Sequence, residues 1–423
     1  MVMNPGHSAA RRHDRAESPA DVLWMQNGVI FWRRLSFVRA GRTAQGGREL
    51  IVVDAGVCPC YRINTYRLTD AFNVKKFQGE IKPLTSLRFF AAMAVVFFHF
   101  GASAAERAGF PGFMVSILKH GYLGVSFFFV LSGFILVVAY DGRLGTRERR
   151  YDFFLSRLAR IFPVYILALA LSIPFTNPLW IESVIFAPLL LQSWTLPASN
   201  LGGALNMPSW TLSIELFFYV FFAVFFVRLS RLPTIVLGIL ATCMAAVIIL
   251  ADVAVVHPGI QLDGWIRFIP LPVFRLPEFL LGVLSALLVS RLSIASKPKG
   301  MDTLFFCVVA LVLVTLAEGS LASRLMPVAC AVLIVAAALS TGPVLRIFSN
   351  PVLVFLGGAS YAAYLLQMSV NGVFDALFGD NFASRIAMPV VLIALSCVVY
   401  KWVEEPARRY IKGIKFSHVP REA

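Results

Sequence analysis

The chain has 423 residues, 58% of them apolar and 14% charged, and its mean hydropathy is +0.76. Soluble domains carry about 25% charged and about 45–50% apolar residues, so the composition excludes an ordinary soluble protein and predicts a polytopic membrane protein. The net charge of +15 fits the Lys/Arg excess that sets membrane topology, and without a zinc-finger pattern, RNA-binding motif or soluble basic domain no nucleic-acid partner is expected.

Residues 1–80 form an N-terminal extension that is Arg-rich, irregular and lacks an 18-residue apolar run. Within it, VLWMQNGVIFWRRL (22–35) is the one candidate for an amphipathic helix lying on a membrane surface. Arg11-Arg12 is not followed by an apolar stretch, so no signal peptide is predicted. The extension reads as a disordered cytoplasmic tail, or as translated sequence upstream of the true start. Cys243, Cys307, Cys330 and Cys397 lie in apolar segments, and Cys58-Pro59-Cys60 lacks a second ligand pair. Neither a disulfide framework nor a metal site is expected.

From 81 to 415 apolar blocks repeat, predicting an all-α bundle of about ten transmembrane helices: 86–104, 121–140, 161–177, 209–227, 233–251, 269–290, 303–317, 325–341, 352–371 and 386–403. Residues 416–423 are a short tail. The third, seventh and eighth blocks are short for a hydrocarbon core of about 30 Å and must extend at their ends or lie straight. SVIFAPLLLQSWTL (183–196) is shorter still and reads as re-entrant or interfacial. With the N-terminus inside, the inner loops and C-terminal tail hold 18 Lys/Arg and the outer segments 5, so both termini are expected in the cytoplasm. No strand-rich soluble domain and no strong inverted repeat is visible.

The first block, RFFAAMAVVFFHF (88–100), carries Arg88 at its start and His99 eleven residues later. At about 100° per residue the two share one stripe, about 16 Å apart along the axis. Ionisable groups inside spans are costly and face polar interiors, so this stripe suits a long anionic ligand entering from the cytoplasm. Snorkelling accounts for Arg88 alone, and a helix-packing hydrogen bond for His99 alone. Arg157 and Arg160, spaced i, i+3, suit a phosphate or a topology anchor equally. Trp210 opens the fourth block at the outer interface. Thr211, Glu215 and Tyr219 share a face, and Glu215 needs a partner: His99, Arg267 or Arg275. In FRLPEFLLG (274–282), Arg275 and Glu278 read as an internal ion pair.

Taken in order, the Arg88–His99 spacing, GVSFFFVLSGFIL, SRLARIFP, PSWTLSIELFFY, RLPEFLLG, GGASYAAYLLQMSV and VEEPARR resemble the acyltransferase 3 family of integral membrane acyltransferases, over about residues 80–412. The resemblance implies an enzyme of the bacterial inner membrane. It would move an acyl group, usually acetyl, from cytoplasmic acyl-CoA to a hydroxyl of a carbohydrate or glycolipid. Acyl-CoA is then a co-substrate; no permanently bound cofactor and no metal is expected. His99 is the implied base or acyl relay, oriented by Glu215. Arg88, Arg157 and Arg160 fall on the coenzyme A side, and Trp210, Tyr219 and Gln367 are expected towards the acceptor. Two departures stand out. Ser156 opens a motif that often starts with two basic residues, and Gln367 replaces a frequent histidine with a side chain that takes no proton near neutral pH. Competing readings are a transporter of an anionic lipid or sugar, a histidine-based pH sensor, and transfer to a small lipophilic acceptor.

Overall fold

The computed structural model describes residues 21–26, 29–34, 38–42, 48–52, 81–176, 181–195, 205–256, 269–291, 298–318 and 322–414. The chain divides into two units, Met1–Thr69 and Asp70–Ala423. In the first, β1 (Asp21–Gln26) pairs antiparallel with β2 (Val29–Arg34), and β3 (Val38–Arg42) with β4 (Arg48–Val52). The amphipathic helix expected over 22–35 is therefore replaced by two strands. Their Val, Ile, Phe and Trp content favours strands, and only Asn27-Gly28 separates them, the dipeptide preferred in two-residue hairpin loops. Arg11, Arg12, Cys58, Cys60 and the tail 416–423 lie outside the described residues.

The second unit is helical, and each of the ten expected spans is a helix. They are α1 (Lys82–Arg107), α2 (Gly112–Tyr140), α3 (Arg147–Phe175), α4 (Met207–Leu229), α5 (Thr234–Val256), α6 (Leu271–Arg291), α7 (Met301–Glu318), α8 (Ala322–Leu339), α9 (Pro351–Phe378) and α10 (Phe382–Ile411). Among the described residues nine of these are long and apolar enough to cross a membrane, and α8 offers the shorter apolar stretch Leu325–Leu339.

The largest boundary difference is in α3. It begins at Arg147, fourteen residues before the expected start of the third span at 161. Thr146 caps it by accepting from the Arg149 amide at 3.4 Å, and Glu148 sits in its first turn, where the helix dipole favours an acid. Pro163 consequently lies mid-helix, not in a first turn, and cannot donate to the Ala159 carbonyl. The stretch 183–196 does not cross: it holds the short helices Ile181–Phe186 and Gln192–Thr195, with Leu190 between them at φ 56°.

Lipid tails are as apolar as leucine, so helices in a bilayer associate through close packing rather than through burial from water. α2 is central, with 67% of its apolar window buried in protein, whereas α5 has 6% and α7 11%. α2 and α6 cross backbone to backbone. A Cβ on Gly133 would overlap the Phe279 carbonyl, and one on Gly282 the Val130 carbonyl. Gly357 brings α9 equally close to Thr85 of α1. Arg291 at the end of α6 donates to the Leu232 and Ser230 carbonyls of the α4–α5 turn. Asp302 accepts from Ser340 Oγ and the Val344 amide, both at 2.8 Å, tying α7 to the α8–α9 turn. Of the four cysteines in spans, only Cys330 is buried, and all four are free.

Candidate active site

Five helices, α1, α2, α3, α4 and α9, enclose a cavity of about 110 Å³. Its polar lining includes Arg88, Arg157, Arg160, Thr211, Glu215, Tyr219, Ser360, Tyr361 and Tyr364. Phe128, Phe129, Leu131, Ile135 and Leu136 form an apolar wall. The three expected arginines and the Thr211–Glu215–Tyr219 face thus converge, as their i, i+3 and i, i+4 spacings require.

The arginines are held differently. Arg157 donates from Nη2 to the Tyr140 hydroxyl at 2.9 Å, and its guanidinium lies 5.2 Å from the Tyr140 ring centroid and 5.9 Å from that of Tyr219. Among the described residues Arg88 and Arg160 have neither a hydrogen bond nor an ion pair within 4 Å. Their charges neighbour each other, with Glu404 close to both. Glu404 lies in the π-helical turn Tyr400–Glu404 of α10, is 4% exposed, and leaves Oε2 without a partner among the described residues. Two unpaired guanidiniums beside a void have the donor geometry that phosphate oxygens accept.

Glu215 accepts a hydrogen bond from the Tyr219 hydroxyl. The expected bond between Glu215 and His99 is not formed, and Arg275 is engaged by Glu278 at 2.5 Å, the internal pair read from the sequence. Arg267 lies outside the described residues. His99 does not share the cavity with Arg88. The shared stripe assumed 100° per residue throughout, but α1 turns π-helical over Phe97–Gly101, and a π turn takes an extra residue. The partly buried His99 ring neighbours Phe98, at 4.8 Å between centroids, and Phe100 at 5.9 Å. Between it and the cavity, α1 and α2 touch through Gly121 and Gly124, whose added Cβ atoms would meet the Ala94 and Ala91 carbonyls.

Trp210 and Gln367 also lie outside the cavity lining. Trp210 packs edge-on to Phe129 at 6.3 Å; Gln367 is fully buried and donates to the Tyr364 carbonyl at 2.8 Å. Ser156 is outside it as well, bonded back to the Asp152 carbonyl at 2.5 Å. Sequence reasoning missed Ser132, Ser360, Tyr361 and Tyr364, which line the cavity, and Glu404 beside its arginines. The available signal was the polar residues of SGF, SYAAY and VEEP in otherwise apolar blocks.

At the opposite ends of the helices, charges are paired. Arg107 grips Asp380 with two bonds of 2.9 Å, Arg385 reaches Asp380 at 2.9 Å and Asp375 at 3.0 Å, and Lys119 meets Glu106 at 2.8 Å. The hydrogen bonds from Arg107 and Arg385 hold the Asp380 carboxyl well below the usual carboxylate range.

An arginine-lined cavity lies among helices long and apolar enough to span a bilayer, and the fold is that of a multi-pass membrane protein. The family model for acyltransferase 3, an acyltransferase domain, matches residues 82–401, and the chain belongs to that family; it is an acyltransferase. It is 28% identical over 373 residues to the acyltransferase MdmB of Streptomyces mycarofaciens, covering 78% of this chain and 92% of that one. Its identity to a candidate O-acetyltransferase of Staphylococcus aureus strain COL, SACOL0978, is 24%, covering 82% of this chain and 60% of that protein's length. The exopolysaccharide production protein ExoZ of Rhizobium meliloti strain 1021 is 34% identical over 143 residues, or 32% of this chain and 44% of that one. No solved structure matches the chain.

Proposed function

We propose that the protein is an O-acyltransferase of the bacterial inner membrane, with both termini cytoplasmic. It takes an acyl group, acetyl in the simplest case, from acyl-CoA and places it on a hydroxyl of a carbohydrate or glycolipid. One observation carries this reading: Arg88, Arg157 and Arg160 line one cavity, and two of them have no partner among the described residues. Coenzyme A phosphates would replace the missing partners through charge-assisted hydrogen bonds. The apolar wall of Phe128, Phe129, Ile135 and Leu136 suits the arm and acyl chain. That one relative is named for exopolysaccharide production supports a sugar acceptor.

His99 acts at the other end, as base or acyl relay. As base, a ring nitrogen takes the proton of the acceptor hydroxyl, whose oxygen attacks the thioester carbonyl. The C–S bond breaks, and the leaving thiolate recovers the proton from the imidazolium. Histidine suits this exchange because its ordinary pKa lies near neutral pH.

The test is the full chain in lipid nanodiscs with labelled acetyl-CoA, together with mass spectrometry of surface glycans from cells with and without the protein. Saturable acetyl-CoA binding and a missing acetyl mass are expected. Transport of an anionic lipid or sugar without acetyl-CoA consumption would replace this reading.

A further inference from the structure

Beyond the cavity, three side-chain amides share an unusual state. Gln192 and Asn206 are each 1% exposed and Gln367 is fully buried. Gln192 Nε2 donates to the Ser209 carbonyl at 2.8 Å and to Ser209 Oγ at 3.3 Å. Asn206 Nδ2 donates to the Leu365 carbonyl at 3.0 Å, and Gln367 Nε2 to the Tyr364 carbonyl at 2.8 Å. A backbone carbonyl only accepts, so these partners fix which amide atom is nitrogen and which is oxygen. All three oxygens, Gln192 Oε1, Asn206 Oδ1 and Gln367 Oε1, have no partner among the described residues. Buried acceptors are rarely left this way, and three along one seam call for an explanation.

The seam is continuous. Ser209 Oγ donates to the Asn206 carbonyl at 2.6 Å, linking Gln192 to Asn206. Asn206 is bonded to Leu365, and Leu365 lies next to Tyr364, the acceptor for Gln367. Tyr364 and Thr211 of the same two helices line the arginine cavity. Asn206 therefore ties the start of α4 to the middle of α9 directly beside the proposed donor site, Gln192 holds Ser209 at that start, and the Gln367 bond stays within α9.

We infer that Gln192, Asn206 and Gln367 form the wall of the acceptor site and read a neutral, hydroxyl-rich group. The inference rests on the acyl-transfer reading above. Three unpartnered buried acceptors match a ligand that brings O–H groups, as a sugar or polyol does. A phosphate or carboxylate would meet three partial negative charges. The wall thus selects the opposite chemistry to the arginines, which keeps donor and acceptor from exchanging places. Because the oxygens are closed off here, admitting the polyol parts α4 from α9 at Tyr364.

The test uses the full chain in nanodiscs, with methyl glucoside, galactoside and mannoside and myo-inositol as probes against their fully O-methylated counterparts. Affinity is read from intrinsic tryptophan fluorescence. At least one hydroxyl-bearing probe should bind, and its methylated form should bind roughly tenfold more weakly or not at all. Gln367→Met, Gln192→Met and Asn206→Leu should each weaken that probe roughly tenfold, with acetyl-CoA affinity unchanged as evidence of an intact fold. If Asn206→Leu also loses acetyl-CoA binding, the two Gln→Met variants decide. Equal binding of methylated probes, no binding by any probe, or unaltered affinity in the Gln→Met variants would overturn the inference. Wild-type protein that binds the sugar but not acetyl-CoA would instead sink the acyl-CoA reading and leave the wall standing.

Discussion

Tyr219 donates its hydroxyl hydrogen to Glu215 one turn earlier in α4, and both line the arginine cavity. This is the one hydrogen bond Glu215 makes among the described residues. Tyr219→Phe should cut turnover roughly 10–100-fold while leaving acetyl-CoA affinity within about twofold. The double variant with Glu215→Gln should be no worse than the poorer single, because the pair acts as a unit. Additive losses in steady-state kinetics would separate the two roles.

His99→Ala should abolish acyl transfer without displacing the protein from the membrane. Loss of a general base costs roughly 10²–10⁴-fold in rate, and loss of an acyl relay costs all of it. Product formation at the wild-type rate would remove His99 from the mechanism.

Arg160→Ala should raise the dissociation constant for acetyl-CoA roughly 10–100-fold, the range expected for one charge-assisted hydrogen bond. Arg157→Lys tests a different property. Lysine keeps the charge but loses the planar stack on Tyr140, so it should weaken binding less than Arg160→Ala and destabilise the α2–α3 contact. Equilibrium binding and thermal unfolding, measured together, separate these effects.

Asp380 carries a pH prediction. Its carboxyl is held below the usual range by Arg107 and Arg385, so its contribution to stability is present above the ordinary carboxylate pKa of about 4 and is lost as pH falls further. Protection of the amides at the end of α1 and the start of α10, taken relative to the intrinsic exchange rate at each pH, should fall as pH drops below about 4. Asp380→Asn should flatten that dependence and leave exchange in α2 and α6 unchanged.

The α2–α6 crossing is testable through glycine. Gly282→Ala places a methyl on the Val130 carbonyl and should abolish folded protein in the membrane fraction, whereas Gly238→Ala in α5 meets open space and should be silent. Gel-filtration yield after detergent extraction gives the comparison.

Ten helices were legible in the sequence because a span needs only length and apolarity, and the chain supplies both. So was the convergence of Arg157 with Arg160 and of Thr211, Glu215 and Tyr219, since each set depends on spacing within one helix. The start of α3 was not legible: charge hid a helix that Thr146 and Glu148 begin. His99 is not among the residues lining the cavity that holds Arg88, and the π turn at Phe97–Gly101, which no hydropathy pattern signals, alters the stripe the two were expected to share. Glu404 and the cavity tyrosines of α9 were hidden because they join the site only when distant helices pack. Asn27-Gly28 between two β-prone runs was a readable hairpin signal that amphipathicity overshadowed.

The touching backbones at Gly121 and Gly124 leave no gap between α1 and α2 at the level separating Arg88 from His99. No thread of water can follow that route from one compartment to the other. An enzyme acting as proposed, with groups at two depths, needs such a plug, because an open channel would short-circuit the ion gradients the membrane exists to hold.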